Sequence, residues 1–385
     1  MNDQNKSRAL STKRLLLKFA IAFGFFTLFA GVLYLPRILD VFGSQTSLNI
    51  YTFTEMLSPE VAQRFEDETG VAVNIKFFQT NEELYAKLRV NLGEGYDIIV
   101  ASEYMIETMK NEGILQKLDH SKLAILQELD PKLLNQPFDP GNQYSLPLEW
   151  HTYGIVYDKA LINSSKTSTN TNTIDEISFD LLFKDPRELL QLGLVKNLYK
   201  ICMVDDGKEA LMLALLYLFG GQKPMNEEAF VRVEQLLIQQ KEWVEAYTSS
   251  SLQYFLFTDI VPVAVTSSSY MKKILEETDR FGFKIPKEGG ILVLENYAIP
   301  ISCKKVDLVH QFFNFVLSQE NVEFNSDKYG YNPTNKKAYA AVPERFLNDV
   351  NIFPDEKTFE RLHILRQEYP PKKKIENTWL GVKFA

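Results

Sequence analysis

Cysteine and histidine are scarce: 385 residues contain two of the first and four of the second. The histidines, at positions 120, 151, 310 and 363, show no metal-ligand spacing, so no metal centre is expected. His310 lies on a helical pattern, VHQFFNFVL, and reads as a surface or partly buried helix residue. Cys202 and Cys303 each sit in an apolar run that reads as a strand, so each is expected to be a small core residue. Two cysteines alone do not fix whether they pair. No Walker A sequence and no nucleophile elbow occur, which removes nucleotide hydrolysis and the commonest serine chemistry. The glycines of PKEGG, Pro286 to Gly290, lack phosphate-loop spacing and read as a turn before a strand. No cofactor is implied. Nor is there a long low-complexity region, so disorder is not the default.

What the chain does have begins at its N-terminus. Phe19 to Leu35 is an uncharged, mostly apolar run of seventeen residues, about 26 Å of helix and close to a bilayer core. Lys6, Arg8, Lys13, Arg14 and Lys18 precede it and only Arg37 follows closely. That asymmetry places the N-terminus in the cytoplasm and the rest outside, in the periplasm or on the outer face of the cytoplasmic membrane. The run reads as an uncleaved anchor; a long signal peptide and a buried helix are the alternatives. No cysteine lies beside it, which excludes a lipoprotein anchor. Residues 1–43 carry six of the 42 basic residues and two of the 50 acidic ones, leaving 36 basic, 48 acidic and a net charge of −12. An acidic exported body disfavours nucleic acid and favours cationic ligands.

The remaining length exceeds one ordinary core, so two lobes are expected. Leu48–Phe53 alternates as a strand. Ser58-Pro59 starts a helix closed by Gly70, and Val71–Phe77 alternates again. NEELYAKLRVNLGEG is a second amphipathic helix, and Tyr96–Val100 a continuously apolar strand. This order predicts an open parallel sheet whose ligands bind at the strand carboxyl ends, after Phe53 and after Val100. Further strands are expected at 260–265 and 291–294, with one ending at Val204, and an apolar helix at 209–219. Ser164 to Thr173 is a surface loop, and the lysine-rich PPKKK, Pro370 to Lys374, a solvated tail. The expected division is a cytoplasmic tail and anchor or signal at 1–46, one lobe of 47–150 plus about 295–330, and a second of 151–294 plus about 331–385.

Two acidic stretches stand out: KICMVDDGKEALMLALLYL, from Lys200 to Leu218, and IPKEGGILVLENYAIP, from Ile285 to Pro300. Asp206 and Glu209, at i and i+3, face one way at a helix start. They serve equally as a capping pair, with Asp206 as N-cap and Glu209 at the third helical position. Glu295 is a cleft acid or an exposed strand-end residue.

These stretches resemble the periplasmic spermidine/putrescine-binding proteins of polyamine ABC transporters. The likeness also runs through LNIYTFTEMLSPEVAQRFEDETGVAVNI, YDIIVASEYMIETMKNEGILQKLDHSKL, LNQPFDPGNQYSLPLEW and YGYNPTN, in the same order, over roughly residues 47 to 335. The resemblance implies an α/β, two-lobed type II periplasmic-binding-protein fold with a hinge, here preceded by one N-terminal transmembrane helix. It implies ligand-binding residues Phe53, Thr54, Glu55, Ser102, Tyr104, Asp206, Glu209, Glu295 and Tyr331, a polyamine ligand (spermidine or putrescine), and ABC permease subunits as partners. Two rings of the family's aromatic cage correspond here to Ser267 and Val293, and a tyrosine to Met56. The acidic half of the site is thus kept and the aromatic half thinned. Trp150 is a hinge packing residue or a ligand residue. A different small cationic ligand, a sensing or interaction role without transport, and a carboxylate-based glycosidase are the rival readings.

Overall fold

A computed structural model of the chain describes residues 47–162, 177–220, 226–248, 251–365 and 372–384, together with Gly24, Phe25, Thr27 and Gly31. The run Phe19–Leu35 otherwise lies outside the described residues, as does Ser164 to Thr173. Among the described residues no helix is long and apolar enough to cross a membrane.

The body opens as its periodicity predicts. β1 is Ser47–Thr52, and it pairs in parallel with β2, Ala72–Phe77. The helix Pro59–Thr69 joins them: the Ser58 hydroxyl accepts from Val61 N–H, and Gly70 closes the end in the left-handed region at φ 71°. The helix Asn81–Asn91 follows, with Thr80 as N-cap. β3 occupies Ile98–Ser102, later than the apolar run suggested. Tyr96 and Asp97 belong to the turn before it, where Asp97 Oδ2 accepts from Asn49 N–H at 2.9 Å. The helix Glu103–Asn111 starts directly on the end of β3.

β4 is the longest strand, Ser145–Asp158, and it is central to the sheet. Later come β5 (Ile201–Met203), β6 (Val244–Tyr247), β7 (Val263–Ser267), β8 (Phe281–Lys284), β9 (Gly290–Ala298), β10 (Asn332–Pro333) and β11 (Leu362–Ile364). Among the described residues the order is β2-β1-β3-β9-β4-β7-β5-β6, with β8 and β10 against β4 and β11 against β9. β1, β2 and β3 form one parallel half, and β5, β6 and β7 form the other. The antiparallel pair β4 and β9 belongs to both, which is the continuity of a two-lobed fold. Gly154 is required where β8 crosses β4, because a Cβ there would lie 2.6 Å from the Lys284 carbonyl oxygen.

Each half has its own core. Leu48, Ile50, Val61, Phe65, Phe312 and Phe313 pack on the first. Leu211, Leu215, Phe230, Val263 and Ile291 pack in the second. At roughly 1.5–3 kcal/mol per fully buried large side chain, such clusters dominate the stabilisation of each lobe.

Four sequence expectations are corrected. Cys303 lies in a turn after β9, not in a strand; it and Cys202 are both free and buried. His310 is buried, because Nε2 accepts from Asp119 N–H at 2.9 Å and Nδ1 lies 2.6 Å from the Val306 carbonyl. β7 starts later than the apolar run at 260, since Asp259 turns the chain at φ 62° and leaves Ile260 exposed. Pro370 and Pro371 lie outside the described residues, but the rest of PPKKK opens the helix Lys372–Phe384 rather than a tail: Lys374 pairs with Glu227, and Ile375, Trp379 and Val382 bury against the second core.

Candidate functional site

The site is built where β3, β9 and β4 lie side by side. Their register places Ser102 opposite Glu295, and Glu295 opposite Glu149. Directly opposed residues share a sheet face, so one row carries a hydroxyl and two carboxyl groups. Ser102 Oγ donates to Glu295 Oε1 at 2.5 Å and accepts from Asn81 Nδ2 at 2.8 Å. Ser102 is the N-cap of Glu103–Asn111, yet its hydroxyl makes no cap bond; it accepts from Asn81 instead. Glu103 is fully buried beside this row, and its Oε2 accepts from Leu294 N–H at 3.0 Å. Glu295 Oε2 and Glu103 Oε1 are buried with no hydrogen-bond partner among the described residues.

Asp206 and Glu209 approach from the other lobe. Asp206 caps Gly207–Phe219, its Oδ1 accepting from Glu209 N–H at 2.9 Å, so the capping role is real. Glu209 is half-buried at the cleft wall, facing Tyr153. Burial and the neighbouring Asp206 push its carboxyl up to about 8. Burial pushes Glu103 to about 8, with Glu295 adding repulsion, and Glu295 to about 7, with Glu149 adding repulsion. His151 is the internal counterweight. Burial acts downward on it, but Glu149, Glu295 and Glu209 outweigh that and raise its pKa. Its Nδ1 lies 3.2 Å from Glu149 Oε1.

Tyr104 stands between the lobes. Its ring receives the Lys208 ammonium at 3.7 Å from the centroid, and Lys208 also pairs with Glu82 of the helix Asn81–Asn91. Lys208 follows Asp206 by two residues, so this contact joins the two lobes. Tyr331 is buried next to Glu149, and its hydroxyl donates to the Met56 carbonyl at 3.2 Å. Phe53 is half-buried with its ring 4.3 Å from that of Phe78.

Ser102, Tyr104, Asp206, Glu209 and Glu295 are therefore brought together, with Tyr331 joining through Glu149. Thr54 and Glu55 are exposed, and Glu55 acts on Tyr329 rather than on the carboxyl group cluster. Ser267 and Val293 are in β7 and β9, opposite β4. Trp150 faces away from the row: it donates to the Pro333 carbonyl at 2.9 Å and packs edge-on to Phe353, a packing role. Sequence reasoning missed Glu103, Glu149, His151 and Tyr153. The signal was present in LEWHTYG, where Glu149, His151 and Tyr153 alternate with buried residues. A separate cavity of about 730 Å³, lined by residues including Lys272, Glu276, Phe324 and Phe346, shares Tyr331 but holds none of these carboxyl groups.

A two-lobed sheet with acids converging between the lobes defines a capture site for a small solute, and the family follows. The chain belongs to the bacterial extracellular solute-binding proteins, whose family model matches residues 60–354. It is a binding protein of that family and not an enzyme. It is similar to spermidine/putrescine-binding periplasmic protein 1 of Haemophilus influenzae, with 30% identity over 318 residues, covering 82% of each chain. It is also similar to the putrescine-binding periplasmic protein PotF of Escherichia coli, with 28% identity, covering 92% of this chain and 96% of that one. Among solved structures, a putative spermidine/putrescine ABC transporter protein from Listeria monocytogenes matches with a TM-score of 0.72 and 29% identity, over 88% of this chain and 99% of that one.

Proposed function

We propose that this chain captures a polyamine, spermidine or putrescine, between its lobes outside the cytoplasmic membrane and delivers it to an ABC permease. The observation that carries this reading is the unpartnered, buried Glu295 Oε2 within a group of acids contributed by both lobes. A buried carboxylate without a donor costs several kcal/mol, and an ammonium supplies both donor and charge. Glu295 and Glu149 hold one amine; Asp206 and Glu209 hold another. Tyr104, Tyr331 and Phe53 line the path between, and Thr54 and Glu55 lie at its mouth. Binding favours the closed arrangement because only that arrangement brings both acid pairs onto one ligand. A thermal-shift panel tests the reading. Putrescine and spermidine should raise the melting temperature, and glutamate, acetate and glucose should not. Stabilisation by an anion and by neither amine would reject it.

Asp206 separates its two roles by substitution. Asp206→Ala should lower stability by about 0.5–2 kcal/mol through the lost cap. Asp206→Asn keeps the cap and stability, measured by urea unfolding, while weakening amine binding. The lobes of this reading are 47–150 plus about 295–330 and 151–294 plus about 331–385, hinged at β4 and β9. Phe19–Leu35, with its basic flank, serves as the membrane anchor. The protein should then remain with membranes after alkaline washing; full release would reject the anchor.

A further inference from the structure

Ser267 and Val293 are small residues on two different strands, and β4 runs between those strands. Its register sets Tyr153 opposite Ser267 and His151 opposite Val293. Directly opposed side chains stand about 4.5–5.5 Å apart at Cβ. A large ring at 151 or 153 therefore projects over a small neighbour, on the face that carries Glu149 and Glu295. Ser267 is not free to carry a ring of its own by local design, since its hydroxyl caps the helix Ser268–Glu277 by accepting from Tyr270 N–H at 3.1 Å.

The two rings form one surface. Their centroids are 5.7 Å apart with the planes at 62°. Both side chains are partly accessible, whereas Thr152 and Gly154 between and beside them are buried. Their polar ends point to opposite acid groups. Tyr153 faces Glu209, next to Asp206; His151 bonds to Glu149, next to Glu295. The face of His151 is bordered by Glu149 and Tyr153 from its own strand, Glu295 from β9, Glu103 from the helix after β3, and Glu209 from the second lobe. The rings thus lie between the two places where ammonium groups are held. Methylenes joining two ammonium groups would cross them.

We propose that His151 and Tyr153 form the ligand-contacting aromatic wall of this site, a specificity-determining pair on β4 that packs on the methylenes of a short aliphatic diamine. This rests on the polyamine reading above. The Tyr153 ring contributes apolar contact and ring-face attraction for an ammonium, and the His151 ring contributes apolar contact along the chain. Its length, two alternate residues of one strand, matches a chain with one short aliphatic segment better than one with two.

The test is calorimetric titration of the full chain in detergent with putrescine and spermidine at pH 8. The variants are Tyr153→Ala, Tyr153→Phe, His151→Ala, and His151→Ala combined with Val293→Trp, with thermal melts to confirm folding. Each alanine variant should weaken putrescine binding by about threefold to thirtyfold, the range of one lost ring contact. Tyr153→Phe should stay within about threefold of wild type. A ring returned across the strand at position 293 should recover much of the His151→Ala loss. Alanine variants that bind putrescine as tightly as wild type, or tighter, would overturn the proposal, because the rings would then merely fill the cleft. If wild type binds neither amine, the polyamine reading fails and this wall fails with it. If wild type binds and the alanine variants match it, only the wall fails.

Discussion

Glu295→Gln is expected to weaken putrescine and spermidine binding by about 1–3 kcal/mol, roughly fivefold to more than a hundredfold. The substitution is nearly isosteric, so the Ser102 hydroxyl keeps an acceptor on the side chain and the β3–β9 register is undisturbed. What is lost is charge at the one buried carboxyl oxygen of this row that has no partner among the described residues. Repulsion with Glu149 also disappears, so the ligand-free protein should melt at the same temperature or higher. Calorimetry and thermal melts check both halves. Unchanged affinity with a lower melting point would make Glu295 a structural residue.

The second large effect is a pH dependence. Burial raises Glu295 to about 7 and both Glu103 and Glu209 to about 8, against about 4.3 for an unperturbed glutamate. Between roughly pH 4.5 and 8 the ligand-free folded state therefore holds more protons than the unfolded chain. Stability from these groups is fully present below the unfolded pKa and is lost as pH rises through the folded values. His151, also raised, has the same sign. A bound amine favours the ionised carboxylates, so binding releases protons and strengthens as pH rises toward 8. The melting temperature without ligand should fall from pH 5 to pH 8, and the increase produced by spermidine should be larger at pH 8 than at pH 6. A ligand-free melting point that rises across this range, with a constant spermidine effect, would contradict the assignment of these groups.

The sequence was most legible where local physics decides structure. Ser58-Pro59 and Gly70 bracket a helix because a hydroxyl cap, a fixed φ and a left-handed residue each act within a few positions. Asp206 and Glu209 were found because a helix start displays them in order, and the cap bond from Glu209 N–H to Asp206 is present in the structure. Glu295 was found through its family-like surroundings. Ser102 was named the same way, but Glu149 and both pairings were not, because Ser102 and Glu149 lie 193 and 146 positions away in sequence and meet Glu295 only through strand register. β4 shows the same limit. Its continuity from Ser145 to Asp158 depends on pairing with β7, β8 and β9, none of which is local. His310 was misplaced for a similar reason: a helical pattern shows one apolar face, but the backbone N–H of Asp119 that buries the ring comes from a distant loop.

Rings and acids also carry different information. The resemblance sets Ser267 and Val293 where the family has rings, which implies a thinned cage. Only the cross-strand register reveals that Tyr153 and His151 stand opposite those two positions.

The most direct test of the central claim is titration of the full chain with putrescine and spermidine by calorimetry at physiological salt, repeated with Glu295→Gln. The account predicts saturable one-site binding of at least one amine, with proton release, and a large loss in the variant. No heat and no thermal stabilisation with either amine, from protein that melts cooperatively, would contradict it.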